Sequence, residues 1–437
     1  MKKYVTILIS VCLLSACGGR QTETDENGKP LVIDLQTAIS SPVKEMLLSD
    51  VAEDIEIIPL ETKEETMFHR DLHIISFRHG VLLCPGGGEK TRPIMLFDRQ
   101  GKFVRYIGSI GQGPEDMLLH ASIGYDEDKQ EIIVPDMVDL KVYGINGKFK
   151  RKLFRYREDG EYWYANRDAR EIRDYRFADG YHIFRRMFPV PTVNESWQIM
   201  IFDYNGRLVA KIADPINVQH EDKIAVDLMT AMPSSYWHCI APIMSFYHGT
   251  HSILFDANDT IYLLPASKER LIPRYLMKTG SEVFTPEVLH STDQTGDFLN
   301  KYIQPRDILE TRDYMYLVAE KGVYSHLCRF NKMTGEVQSV HNKGEVIHQK
   351  AMGIHVRRAD APGFTDDLAG GCSFFPRHTN DNEWIGVIPA ERLLHEIDIE
   401  ELERKEVKLP HRKKQLIDVL RNLNEDDNPV LMIVKLK

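Results

Sequence analysis

The stretch that decides the fold is Asp98–Asp116, DRQGKFVRYIGSIGQGPED. A turn closes on Gly101 after Met95-Leu96-Phe97-Asp98, and an apolar-rich run, Phe103–Ile107, returns from it. Strand formers on both sides of a turn with Gly at its tightest point predict a β-hairpin. A glycine-dense loop, Gly108–Pro114, follows. The hairpin pattern is an apolar residue, one spacer, an aromatic, a short turn with Gly, a charged residue and a return run. It occurs as MLFDRQGKFV (Met95–Val104), KVYGINGKFK (Lys141–Lys150) and MIFDYNGRLV (Met200–Val209). CRFNKMTGEV (Cys328–Val337) is a looser copy, and PRYLMKTGSEVF (Pro273–Phe284) a degenerate one.

The turn glycines, Gly101, Gly147, Gly206, Gly280 and Gly335, are unevenly spaced. This argues against the short regular repeat of about 40–45 residues typical of WD40 chains and for larger units with insertions. Each hairpin has strand-forming partners upstream, such as Ile132-Ile133-Val134 before the second copy. Before the fourth come Ser252–Phe255 and Thr260–Leu264. Units of three or four strands repeated around an axis make a β-propeller. Stacked blades cover both faces of a middle strand, which explains apolar runs in place of strict alternation. The expected fold is all-β: a six-bladed β-propeller with units near 70–122, 123–172, 173–243, 244–302, 303–350 and 351–400 plus the C-terminus. A β-sandwich with recurrent hairpins is the alternative, and repetition along most of the chain argues against it.

At both ends the pattern changes. Lys2 and Lys3 precede an apolar run, Val5–Leu14, too short to span a bilayer. Leu14-Ser15-Ala16-Cys17 resembles a lipobox, which predicts a leader at 1–16 and lipid attachment at Cys17. The polar, acidic stretch after Cys17 reads as a tether, giving 17–30 as linker and 31–437 as propeller. Near the C-terminus, Leu416, Val419, Leu420 and Leu423 share a helical face, predicting a short helix over 413–423. The last five apolar residues in a row, Val430–Val434, predict a strand that closes the ring with strands from the N-terminal part, Leu31–Leu35 and Ile55–Leu60.

The chain resembles the six-bladed β-propeller lipoproteins abundant in Bacteroidota, distant relatives of NHL and TolB-type propellers. The residues that carry the resemblance are the lipobox-like Leu14–Cys17, IPLET at Ile58–Thr62 and FDRQGKFVRYIGSIGQGP at Phe97–Pro114. DDLAGG at Asp366–Gly371, Phe374-Phe375-Pro376 and NPVLMIVKLK at Asn428–Lys437 complete it. The resemblance implies the fold and a cell-envelope location. It departs at Glu115-Asp116-Met117, where Gly-Glu-Tyr is common, and at Ala369, where Asp is common.

Composition is globular, with 43% hydrophobic and 27% charged residues. The formal net charge of −10 disfavours nucleic acid, whose phosphates want a basic surface. No catalytic constellation is present. His395-Glu396 has Ile399 where a zinc-protease motif needs its second His, and Glu89 spoils the phosphate-loop likeness of Gly86–Thr91. There is no GxSxG nucleophile elbow. Asp126-Glu127-Asp128 reads as a hairpin turn rather than a calcium loop. Cys84, Cys239, Cys328 and Cys372 have no CxxC spacing and read as buried thiols, with a disulfide open to an exported chain.

Two groups remain as candidate ligand-binding residues. Tyr236, Trp237 and His238, with Tyr247-His248, could stack on sugar or peptide. Gln112, Glu115, Arg357, Arg358, Asp366 and Asp367 lie beside glycine-rich loops where backbone can approach a ligand. The expected role is non-catalytic binding of a protein, peptide or glycan, with the membrane engaged through Cys17 and no cofactor. The alternative is a propeller hydrolase or lactonase with calcium in the channel, which needs carboxylates from several blades to converge.

Overall fold

The computed structural model describes residues 29–437 apart from 69–71, 86–91, 118–121, 137–138, 156–171, 187–196, 216–241, 267, 269, 281–282, 286–287, 289–299, 350–352 and 358–359. The chain opens with strand β1 (Leu31–Asp34), helix α1 (Leu35–Ser40) and strand β2 (Ala52–Pro59). Blade 1 is then β3 (Leu72–Phe77), β4 (Gly80–Pro85), β5 (Ile94–Asp98) and β6 (Phe103–Ile107). Blade 2 is β7 (Gly124–Asp126), β8 (Glu131–Pro135), β9 (Asp139–Gly144) and β10 (Phe149–Arg155). Blade 3 is β11 (Ile172–Ala178), β12 (Tyr181–Arg186), β13 (Trp197–Asp203) and β14 (Leu208–Ala213). Blade 4 is β15 (Ile243–Tyr247), β16 (Thr250–Leu254), β17 (Thr260–Leu264) and β18 (Ile272–Lys278). Blade 5 is β19 (Gln304–Glu310), β20 (Tyr314–Lys321), β21 (Tyr324–Asn331) and β22 (Val337–Lys343). A separate hairpin, β23 (Glu345–Gln349) and β24 (Gly353–Arg357), precedes blade 6.

Blade 6 joins the two ends of the chain. Its strands are β25 (His378–Thr379), β26 (Glu383–Ile388) and β27 (Val430–Leu436), with β2 outermost, in the order β2-β27-β26-β25. Three helices, α2 (Ala390–Glu396), α3 (Ile399–Arg404) and α4 (Pro410–Leu420), fill the insertion between β26 and β27. The protein is a six-bladed β-propeller, as the repeated hairpins require. Closure by Val430–Val434 against β2 is also as expected: Ile55 pairs with Val434 and Ile58 with Leu431.

Three sequence expectations need correction. The segment Leu31–Leu35 takes no part in closure. Its strand portion, β1, runs parallel to β18 on the outer edge of blade 4, with Leu31 opposite Tyr275, and Ile33 and Leu35 enter the core between blades 4 and 5. Gly280 does not turn a hairpin. It follows β18 with φ +110 and faces Gln36, and β1 occupies the edge that a return strand would have taken. The C-terminal helix starts earlier, at Pro410, and buries Leu416, Ile417 and Leu420, while α2 and α3 have no counterpart in the reading above.

The apolar runs follow from the stacking. On β5, Ile94 and Leu96 enter the core shared with blade 2, whereas Met95 and Phe97 enter the core shared with blade 6. On β27, Leu431 and Ile433 face blade 1, and Val430, Met432 and Val434 face the blade 5 side beside Tyr316 and Leu327. Alternate residues of one strand therefore fill two different cores, so neither face can be polar. Cys84 and Cys328 are buried free thiols in such cores, where burial raises the thiol pKa, to about 12 at Cys328; Cys372 is also free and buried. Cys239 lies outside the described residues.

The turn glycines also join the blades. Asp98 carbonyl accepts the Gly101 N–H at 3.0 Å, and Asp98 N–H donates to Lys102 O at 3.0 Å. With Gly101 at φ +80, this is a three-residue hairpin loop with a glycine bulge. The same bonds recur around Gly147 and Gly206. A Cβ on Gly101 would collide with the Pro59 carbonyl of β2, and one on Gly147 would lie 2.6 Å from the Tyr106 carbonyl of β6. The outer turns at Gly101, Gly147 and Gly206 thus abut the outermost strand of the preceding blade, whereas the turn at Gly335 stands clear.

Candidate functional site

The first strands of the blades lie around the axis, where β7 contacts β11, β15 contacts β19, and β3 contacts β25. Tight turns after β3, β7, β11 and β25 gather at one mouth of the channel. They enclose a cavity of about 780 Å³ lined by His73, Tyr125, Arg176, His378, Thr379 and Asp381, among others. Four blades contribute, so the cavity exists only when the ring is closed.

Its floor is basic. Arg176, on β11, reaches across the axis from blade 3 to blade 6 and donates from Nη2 to the Thr379 carbonyl at 3.0 Å. Its guanidinium also sits 4.3 Å above the Phe246 ring of blade 4. No carboxylate pairs with it among the described residues. Burial lowers its pKa to about 10, with Asp381 acting the other way. His73 and His378 meet edge to face, centroids 5.5 Å apart. The Ile123 N–H donates to His73 Nδ1 at 3.2 Å, which puts the proton of the neutral ring on Nε2. Burial holds His73 well below the usual imidazole range, and His378, Arg176 and Arg185 add repulsion. Nearby on the axis, burial lowers Arg185 to about 10 and raises Asp307 to about 6; the Ile308 N–H, which Asp307 accepts at 2.8 Å, and the guanidiniums of Arg185 and Arg377 only partly offset the latter.

The rim is acidic and mostly committed. Asp126 pairs with Lys129 at 2.7 Å, and Glu383 with Arg99 at 3.2 Å. Asp381 accepts the His248 N–H at 2.8 Å. Asp179 meets His251 Nε2 at 2.7 Å, and Lys268 Nζ approaches His251 Nδ1 at 2.9 Å. This chain ties Asp179 to the interface of blades 3 and 4. Among the described residues, no three His, Cys, Asp or Glu side chains come together as a set able to hold a metal ion.

The residues singled out from sequence lie elsewhere. Gln112 and Glu115 are exposed on the loop after β6, and the Glu115 carbonyl accepts the Tyr143 hydroxyl at 2.8 Å. That loop is folded around Asp116, which accepts the Gly113 N–H at 3.0 Å and the Ser109 hydroxyl. Asp366 is buried between blades 5 and 6, where its carboxylate accepts the N–H groups of Leu368, Ala369 and Gly371 at 2.9–3.0 Å. Asp367 accepts Ser49 N–H at 2.9 Å and pairs with Lys408 at 2.9 Å. The structure does not bring these four together. Arg357 ends β24, and the placement of its side chain is not described. Arg358, Tyr236, Trp237, His238 and Cys17 lie outside the described residues.

Sequence reasoning missed His73, Arg176, His378 and Asp381. One signal was available: Tyr175-Arg176-Phe177 places a cation inside an aromatic strand, where burial makes charge expensive unless it has a use.

Fold and cavity together define a six-bladed propeller with a solvent-accessible axial site. The chain belongs to the family described as a domain of unknown function (DUF4934), whose model matches residues 30–435. No curated protein matches it in sequence. Among solved structures, a Bacteroides fragilis protein provisionally described as exported aligns with a TM-score of 0.56 at 12% identity, covering 94% of this chain and 100% of that one. A DUF4221 family member from Bacteroides vulgatus aligns with a TM-score of 0.41 at 13% identity, over 70% of this chain and 91% of that one. The first likeness shows the shared fold; the second is too distant to carry an argument.

Proposed function

We propose that this protein is a lipid-anchored binding module of the cell envelope, holding a ligand in the channel-mouth cavity without transforming it. The observation that carries the reading is the cavity of about 780 Å³ on the axis, walled by four blades and floored by a guanidinium that has no carboxylate partner among the described residues. Concave sites with a few convergent polar groups are where ligands bind. Loops positioned by a rigid scaffold are where recognition residues concentrate. The leader at 1–16, lipid on Cys17 and tether over 17–30 rest on the lipobox-like Leu14–Cys17. The same motif and the repeated hairpins are the grounds for grouping the chain with NHL and TolB-type envelope propellers, anchored in the outer membrane. Among the described residues no helix is long and apolar enough to cross a membrane, and two or more acyl chains suffice for stable anchoring.

The binding test uses the soluble chain carrying Cys17→Ser, screened by thermal shift against oligosaccharides and short peptides. A ligand should raise Tm, and Tyr125→Ala with Asn380→Ala at the mouth should abolish the rise. A ligand whose effect survives both substitutions would move the site elsewhere. In cells, Cys17→Ser should release the protein from membranes; unchanged retention would refute the lipid anchor.

A further inference from the structure

We infer that the group reaching the floor of this cavity is a carboxylate, gripped by Arg176 with His73, on a ligand that carries no other negative charge. The inference rests on the mouth being the binding site, as proposed above. Arg176 has five N–H donors, and the structure commits one of them, to the Thr379 carbonyl. The Phe246 face fixes the plane of the guanidinium without neutralising it. A half-buried guanidinium without a counterion is costly. Such a fork matches a carboxylate bidentately. His73 adds a second donor: its Nδ1 is taken by the Ile123 N–H, so the neutral ring presents Nε2–H, which has no partner among the described residues. Both side chains line the cavity.

The rim selects what the carboxylate is attached to. Of the other cations on the wall, Arg99 is matched by Glu56 and Glu383 and Lys129 by Asp126, and Arg78 lies exposed to solvent. Glu127, Asp128, Asp179 and Asp381 surround the entrance. A polyanion must pass this acidic ring and is repelled. A monocarboxylate whose remainder bears hydroxyl or ammonium groups is attracted at both ends: its anion meets Arg176, and its donors meet the rim carboxylates. Cationic floor and acidic entrance therefore define the ligand as a sugar acid or a zwitterion of the amino-acid type.

Titration calorimetry of the soluble chain with glucuronate, dialanine, glucose and citrate tests this, with sodium chloride at matched ionic strength as control. Glucuronate or dialanine should bind saturably, and citrate and glucose should not. Whichever of the two binds identifies the ligand as a sugar acid or a zwitterion. Arg176→Met should weaken that binding about ten- to a hundredfold, the scale of a lost charge-assisted hydrogen bond. Arg176→Lys, which keeps the charge and guards against a folding defect, should fall between the two. Arg377→Met, whose side chain lies outside the cavity, should bind as the parent does. Absence of binding by both monocarboxylates, or equal affinity in Arg176→Met, overturns the inference. If that happens while Tyr125→Ala and Asn380→Ala still abolish binding of a neutral ligand from the screen, the mouth remains the site and only the carboxylate assignment falls.

Discussion

Replacing Gly101 by Ala tests whether the repeated turns hold the blades to one another. Gly335 supplies the internal control. Both glycines sit in outer hairpin turns at positive φ, +80 and +73. A Cβ on Gly335 meets nothing within 4 Å. Gly335→Ala should therefore cost only the left-handed backbone strain, about 1 kcal/mol. At Gly101 the same strain applies, and the new Cβ falls inside the shell of the Pro59 carbonyl oxygen, a backbone atom that cannot rotate away. Relieving the overlap requires blade 1 to move from β2, with an overpacking cost of about 1–3 kcal/mol. It also strains the bond from Glu61 N–H to the Gly101 carbonyl, 2.8 Å, whose loss would add about 1 kcal/mol. Gly101→Ala should thus destabilise by about 2–5 kcal/mol against about 1 for Gly335→Ala. Unfolding entropy scales with residue number, so a chain of this size loses roughly 1 °C of Tm per kcal/mol. Urea titration followed by tryptophan fluorescence resolves the difference more clearly, as a shift in midpoint at constant slope. Equal midpoints for the two variants would refute the docking role and leave the glycines as turn formers alone.

Two further outcomes follow from burial. Val430–Val434 are all within 3% of full burial, and burying each large apolar side chain contributes about 1.5–3 kcal/mol. Ending the chain at residue 427 removes about 10 kcal/mol, comparable to the whole net stability of a domain, so circular dichroism should show no cooperative melt; an unchanged melt would contradict ring closure by β27. Asp307 titrates higher in the fold than in the unfolded chain, raised from 3.8 to about 6, so its ionisation disfavours the fold. Its contribution is neutral below pH about 4, turns unfavourable as pH rises to about 6, and is constant beyond. Asp307→Asn should therefore stabilise the protein at pH 7 by up to about 3 kcal/mol and leave it unchanged at pH 3.5, read from urea midpoints at the two values; the reverse pattern would show that its attraction to Arg185 and Arg377 dominates.

The parts of this protein that were legible in its sequence are those set by neighbours along the chain. The Asp98–Lys102 loop is a local solution: Asp at the start, Gly where φ is positive, and a bond back across the turn. Because such loops depend on a few adjacent residues, each copy could be recognised alone, and their repetition implied a ring. The terminal strand was legible for a related reason, since five consecutive apolar residues at a chain end must be covered. Where each piece docks was not written locally. β1 carries the same strand-forming character as β2, and only the free edge beside β18 sends it to blade 4 rather than to the closure. Asp366 sits beside paired glycines as a ligand-binding residue might, yet its carboxylate caps three backbone N–H groups of its own loop. The axial site depends most on the tertiary structure. Arg176 and Thr379 are over 200 positions apart and meet because blades 3 and 6 face each other across six-fold stacking. Convergence on an axis depends on blade number and ring closure, properties of the whole chain that no window of the sequence contains.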